Sequence, residues 1–240
     1  MKSFDEIKDW LSRDGFIRQS IGTEMEQTVH RAIKYWLCPD PSCHEFRVNG
    51  RIADVFTDDH IYEIQTRSFY AIAKKVEFLL AFHPVTVVYP VVRRKTVYAI
   101  GSDGTIGRGH VSPRKRTPAS LLSELSGFKG LVGRSGLDFL VLVFDAAEYR
   151  TASAAPVGKK TGRIDLYPQG VPETLTFRSR DDFRSLLPAG LPDGFTVKEL
   201  AQVLKMNRTD AGRAAMFLRE IGILALAGKT GRAYRYQILA

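Results

Sequence analysis

Asp54, Glu63 and Gln65 are the residues whose types and spacing first suggest chemistry. Two carboxylates meet when the chain between them folds back, and Asp58-Asp59 suits that corner because both residues tolerate the positive φ of a type I′ turn. A two-residue turn there pairs Thr57 with His60, Phe56 with Ile61 and Asp54 with Glu63. Asn49-Gly50 makes the same corner one strand earlier, pairing Val48 with Arg51, Phe46 with Ala53 and Glu45 with Asp54. Three carboxylates then stand in a row across three strands. Like charges opposite one another on a sheet are destabilising, and neighbouring carboxylates raise each other's pKa. Such a row calls for a cation, and a divalent metal suits it. Gln65, two residues past Glu63, shares its face.

The elements around these residues must decide whether the row is a site or only the wet face of an antiparallel sheet, where acids commonly alternate with apolar residues. After Gln65 come Ser68, a plausible helix start, an apolar-periodic helix over residues 69–82, and then Val85 to Val92, whose continuous apolarity marks a strand buried on both faces. A sheet covered by helices should not carry carboxylates inward without a task. Upstream, Met25, Val29, Ile33 and Trp36 predict a helix over residues 24–37. Glu26 sits in its first turn, where Thr23-Glu-Met-Glu26 also reads as a capping box; either role suits it.

An Asp on one strand and Glu-x-Gln on the next, followed by a helix and a buried strand, resemble the core of the PD-(D/E)XK, or restriction-endonuclease-like, superfamily. Its usual Pro-Asp is here Ala53-Asp54, its usual Lys is here Gln65, and Gly22-Thr-Glu-Met-Glu26 fits the Gly-x-x-x-Glu setting of a further acid on the preceding helix. The resemblance covers roughly residues 20–92. It implies Asp54 and Glu63 as ligands of Mg²⁺, with Mn²⁺ as a substitute, and Glu26, Asp54, Glu63 and Gln65 as the catalytic set. The family uses the missing Lys to orient or activate the attacking water, so cleavage depends on whether Gln65 can do so.

Beyond Val92 the sequence predicts a strand over residues 96–100, a basic Gly-rich loop over 101–117, a helix opened by Thr117-Pro118, and a strand over 138–145. Residues 151–163 have linker composition, and residues 164–177 read as a hairpin around Pro168-Gln-Gly-Val-Pro172. Thr196-Val-Lys-Glu199 is a capping box before one helix, Asn207-Arg-Thr-Asp210 opens a second, and two strands flank the basic turn Gly228-Lys-Thr-Gly231. This order resembles a winged helix-turn-helix. The resemblance implies DNA contacts from Arg208, Thr209 and Arg213 at the start of the second helix, and phosphate contacts from Lys229 and Arg232. Winged helices also mediate protein contacts.

The chain has 240 residues, a formal charge of +9 and a pI near 9.6. The basic excess is greater after residue 150 than before it, which favours a polyanionic partner. Two cysteines, Cys38 and Cys43, suggest no disulfide framework and a reducing compartment; with His44 they are too few to argue for zinc. No apolar stretch is long enough for a membrane span, and the first residues are too polar for a signal peptide, so a cytoplasmic location is expected. The expected fold is α/β: a mixed central sheet flanked by helices, restriction-endonuclease-like, over residues 1–150, a linker and bridging segment over 151–190, and a small winged-helix domain over 191–240. The expected function is a metal-dependent DNA endonuclease delivered to DNA by the winged helix, with a homodimer allowed. The alternative is a DNA-binding regulator whose nuclease-like domain has lost cleavage, and a third reading is a protein-interaction module with a basic surface.

Overall fold

Two pairs of left-handed residues set the frame. Asn49 (φ 44°) and Gly50 (φ 84°) turn the chain between β1 (His44–Val48) and β2 (Arg51–Thr57), and Asp58 (φ 52°) and Asp59 (φ 59°) turn it between β2 and β3 (His60–Ile64). Two-residue corners with positive φ at both positions match the twist of paired strands. β2 and β3 are antiparallel, with Thr57 opposite His60, Phe56 opposite Ile61 and Val55 opposite Tyr62. That is the register expected from the sequence. The computed structural model describes residues 3–7, 27–113, 116–128, 130–151 and 162–239.

After β3 the chain makes a 3-10 turn (Phe69–Ile72), then helix α2 (Ala73–Leu79), α1 being Gln27–Leu37. It returns as β4 (Val85–Ile100), parallel to β3, with Ile61 opposite Val85 and Ile64 opposite Val88. Val85, Val87, Val88, Tyr89 and Val91 are buried, as the apolar run predicts. β4 also takes in the strand expected at 96–100: Arg93 and Arg94 are exposed on a strand that continues rather than marking a break. The sheet is completed by β5 (His110–Val111), which pairs with β4, and by β6 (Leu137–Thr151) and β7 (Arg163–Phe177), in the order β1-β2-β3-β4-β6-β7. This is a mixed α/β sheet. Residues 163–177 form one strand and not a hairpin. The Pro-Gln-Gly-Val-Pro run that reads as a turn lies at the end of the sheet's strand order, where a proline's missing N–H costs least.

The chain divides into two units, Met1–His44, Val91–Arg116 and Leu142–Glu173 in one, and Glu45–Pro90, Thr117–Val141 and Thr174–Ala240 in the other. In the first, Phe4 meets Phe144 edge-on at 5.1 Å, the Thr28 hydroxyl donates to buried Asp165 at 2.9 Å, and buried Glu148 is held by Lys95 at 2.6 Å and by Arg150. In the second, rings in contact run from Phe69 through Phe128, Phe139 and Phe183 to Phe217 at 5.5–5.8 Å. Each such pair adds about 1 kcal/mol to the burial of its rings. Helix α3 (Leu121–Glu124) lies in this unit.

Residues 191–240 belong to the second unit. They form β8 (Phe195–Thr196), α4 (Val197–Val203), α5 (Arg208–Glu220), β9 (Leu224–Thr230) and β10 (Ala233–Ile238), with a three-stranded sheet in the order β8-β10-β9. Both predicted helix starts are built: Thr196 and Glu199 close a reciprocal capping box, and the Asn207 side chain accepts from the Asp210 amide at 2.9 Å. α5 buries Ala211, Ala214, Ala215, Phe217 and Leu218. Its Phe217 ends the ring chain.

Candidate active site

Asp54 and Glu63 come together across β2 and β3, where two hydrogen bonds join the strands. The Asp54 amide donates to Glu63 Oε1 at 3.3 Å, and the Ile64 amide donates to Asp54 Oδ2 at 2.8 Å. Glu63 is only 2% exposed, and Ile61, on the same face of β3, is fully buried. On β3 this face is buried, whereas on β2 it carries exposed Ile52 and part-buried Asp54 and Phe56. α2 brings in Lys75, whose Nζ donates to Glu63 Oε2 at 2.6 Å while its own side chain stays 27% exposed.

Burial first, and the neighbouring charge of Asp54 second, push the Glu63 carboxyl up to about 7, against the pull of the Lys75 ammonium. Buried Glu63, beside part-buried Asp54 and one lysine, therefore holds its proton well above the usual carboxylate range. Perturbed carboxyls of this kind gather where binding or catalysis needs them.

Gln65 follows directly on β3. Its amide N–H donates to Val88 O at 2.9 Å, which fixes its backbone to β4, and its side-chain Nε2 donates to Ser68 O at 3.3 Å. Ser68 does stand where a helix start was expected, yet it adopts φ 55°, ψ 53°, and its side chain makes no capping hydrogen bond. Of the three-carboxylate row, the structure unites Asp54 and Glu63. Glu45 is exposed, with φ 52°, and is not among the charges that shift Glu63. Glu26 lies outside the described residues.

Lys75 is the site residue that sequence reasoning missed. Its only trace was a lysine pair, Lys74-Lys75, in a helix otherwise read for its apolar face. The chain distance between β3 and α2 carries no sign that one of the two lysines reaches back to Glu63.

The two adjacent carboxylates fit Mg²⁺ in donor type, since this ion is commonly held by one or two carboxylates plus waters and substrate phosphates. Among the described residues no group of three or more His, Cys, Asp or Glu is arranged to hold a metal ion. Near Cys38, the His44 ring nitrogen Nε2 lies 2.8 Å from Cys38 O, and the Cys38 thiol donates to Asp40 O.

Arg208, Thr209 and Arg213 are exposed on the first turns of α5, and Lys229 and Arg232 are exposed at the β9–β10 turn. Arg213 Nη1 lies 3.6 Å from Asp210 Oδ1, and Lys229 Nζ stands 4.7 Å from the centre of the Tyr234 ring. Among the described residues no helix is long and apolar enough to cross a membrane.

Comparison with known proteins places these features in a family. An uncharacterized protein of Treponema pallidum (strain Nichols) is 27% identical over 227 residues, covering 91% of this chain and 87% of that protein. No solved structure matches at a significant level. A family profile described as "Domain of unknown function (DUF8091)" matches residues 27–178, a span that takes in α1, the whole main sheet and the Asp54–Glu63–Lys75 group. The chain belongs to the DUF8091 family.

Proposed function

We propose that the protein is a metal-dependent DNA endonuclease of the restriction-endonuclease-like kind, with residues 191–240 acting as a winged helix that grips DNA. The observation that carries this reading is buried Glu63 beside part-buried Asp54, with Lys75 on Glu63. Bound by Asp54 and Glu63, Mg²⁺ or Mn²⁺ would supply Lewis-acid activation of a water and charge for the leaving oxygen of a phosphodiester.

The chain's own groups have separate tasks. Asp54 and Glu63 would hold the cation. Lys75 supplies the positive charge that the family's usual lysine would bring, from α2 instead of from β3, and offers an N–H donor to a phosphate oxygen. Gln65 spends an N–H on Ser68 O, so its Oε1 is left as an acceptor able to hold a hydrogen of the attacking water. In the reaction the water oxygen bonds to phosphorus as the P–O bond to the leaving sugar oxygen breaks. The water yields a proton to solvent and the leaving oxygen takes one up.

Asp54→Ala or Glu63→Ala should abolish Mg²⁺-dependent nicking of plasmid DNA and leave DNA affinity largely intact. Wild-type protein that cuts no DNA with Mg²⁺ or Mn²⁺ would overturn the reading. The second reading, a DNA-binding regulator with an inactive nuclease-like domain, is favoured by one observation: Lys75 already gives Glu63 a cationic partner. Calorimetry separates the two, because the inactive form need not bind divalent ions.

A further inference from the structure

The role of Gln65 rests on where its amide is held, and that hold does not end at Ser68. Ser68 has its carbonyl on one side and its N–H on the other engaged in different directions: the carbonyl accepts from Gln65 Nε2 at 3.3 Å and from the Ala71 amide at 2.9 Å, while the N–H donates to Glu124 Oε2 at 2.7 Å. Glu124 comes from α3, far along the chain.

Ser68 has a left-handed backbone, which a serine adopts only at a cost of about 1 kcal/mol or more. Such a conformation persists only when its surroundings over-determine it. Three features do so here. The charged Glu124 carboxylate makes a short hydrogen bond to the amide, stronger than a neutral one. The next residue, Phe69, is fully buried with its ring against Tyr89 and Phe128, each at 5.5 Å. Tyr70 presses its backbone onto Gly127, where an added Cβ would stand 2.7 Å from Tyr70 Cα. The turn is thus clamped from the α3 side at three successive residues.

We infer that Glu124 is a positioning residue for the proposed reaction: through the Ser68 backbone it fixes the Gln65 amide so that Oε1, and not Nε2, faces the water. The inference rests on the nuclease reading above and deepens it. It also accounts for how glutamine can stand where the family has lysine. An unheld amide would present donor and acceptor in turn, whereas one held through Nε2 keeps its Oε1 acceptor in one place. Lys75 supplies the cationic donor and Gln65 the acceptor, two roles that one lysine cannot combine.

The test is a double-mutant cycle on Mg²⁺-dependent nicking, with Glu124→Ala, Gln65→Ala and the double variant. Glu124→Ala should lower kcat by about 10²-fold with KM nearly unchanged, since small misplacements of a reacting group cost that much. The double variant should be no worse than Gln65→Ala alone. Glu124→Gln, which keeps an oxygen acceptor for the Ser68 amide, should recover most of the rate. Losses that multiply in the double variant, or no recovery in Glu124→Gln, overturn the inference. Should Glu124→Ala not fold, hydrogen exchange on the wild type decides: the Ser68 amide must be protected, and free exchange there overturns the relay. A wild type that cuts nothing overturns the nuclease reading and the relay together, whereas a wild type that cuts with multiplicative losses overturns only the relay.

Discussion

Glu63 holds its proton more tightly in the folded chain than in the unfolded one, and the sign of that difference matters. Unfolded, the group titrates near about 4.3; folded, burial and Asp54 raise it to about 7. Stability from this group is therefore full below the unfolded value, declines as pH rises between the two, and is gone above about 7. Metal-free wild type should lose melting temperature between about pH 5 and about pH 7.5 relative to Glu63→Gln, which has no proton to lose there. Parallel melting profiles would show that Glu63 titrates normally. Lys75→Met removes the one lysine that lowers the carboxyl and should carry the decline to higher pH. In the proposed nuclease the same ionisation would control metal binding, because only the carboxylate would bind the cation. Affinity for Mg²⁺ should rise about tenfold per pH unit up to about 7 and level off above it, which calorimetry at several pH values reads directly.

Among the elements, the turns and caps were legible because their signals are local. Asn49-Gly50 and Asp58-Asp59 fix corners by backbone preference alone, and the register they impose brings Asp54 to Glu63. Thr196-Glu199 and Asn207-Asp210 likewise announce α4 and α5 through side chains that reach only three residues. What stayed hidden depends on approach through space. Lys75 becomes a partner of Glu63 only because its side chain on α2 reaches back to β3, and Glu124 becomes a partner of Ser68 only because α3 meets the turn before α2. Strand continuity failed for another reason: Arg93-Arg94 and the prolines of residues 168–172 look like breaks in one dimension, yet charges facing water and prolines at a sheet edge leave a strand intact. The caps give a direct check at this scale. Thr196→Ala should destabilise the protein by about 1 kcal/mol, because Thr196 and Glu199 exchange hydrogen bonds in both directions. A denaturation midpoint that does not move would mean that β8 and β10 alone hold the start of α4.

For the whole molecule, a charge of +9 makes attraction to a polyanion cheap, but says nothing of where it is gripped. The exposed cations on α5 and at the β9–β10 turn turn that general attraction into a local expectation. Each phosphate they meet releases counterions, so log affinity for duplex DNA should fall linearly with log salt, by about 0.9 for each contact. Arg208→Ala, Arg213→Ala, Lys229→Ala and Arg232→Ala should each weaken binding, and those that meet phosphates should lower the salt slope by about one. Asp54→Ala should leave the slope unchanged while removing nicking, and the four-fold basic variant should keep its Mg²⁺ affinity while losing DNA. Grip and chemistry are then separable functions of one chain. Binding indifferent to salt, or a slope that none of the four substitutions changes, would remove the DNA-docking role from residues 191–240 and leave their exposed face to a protein partner.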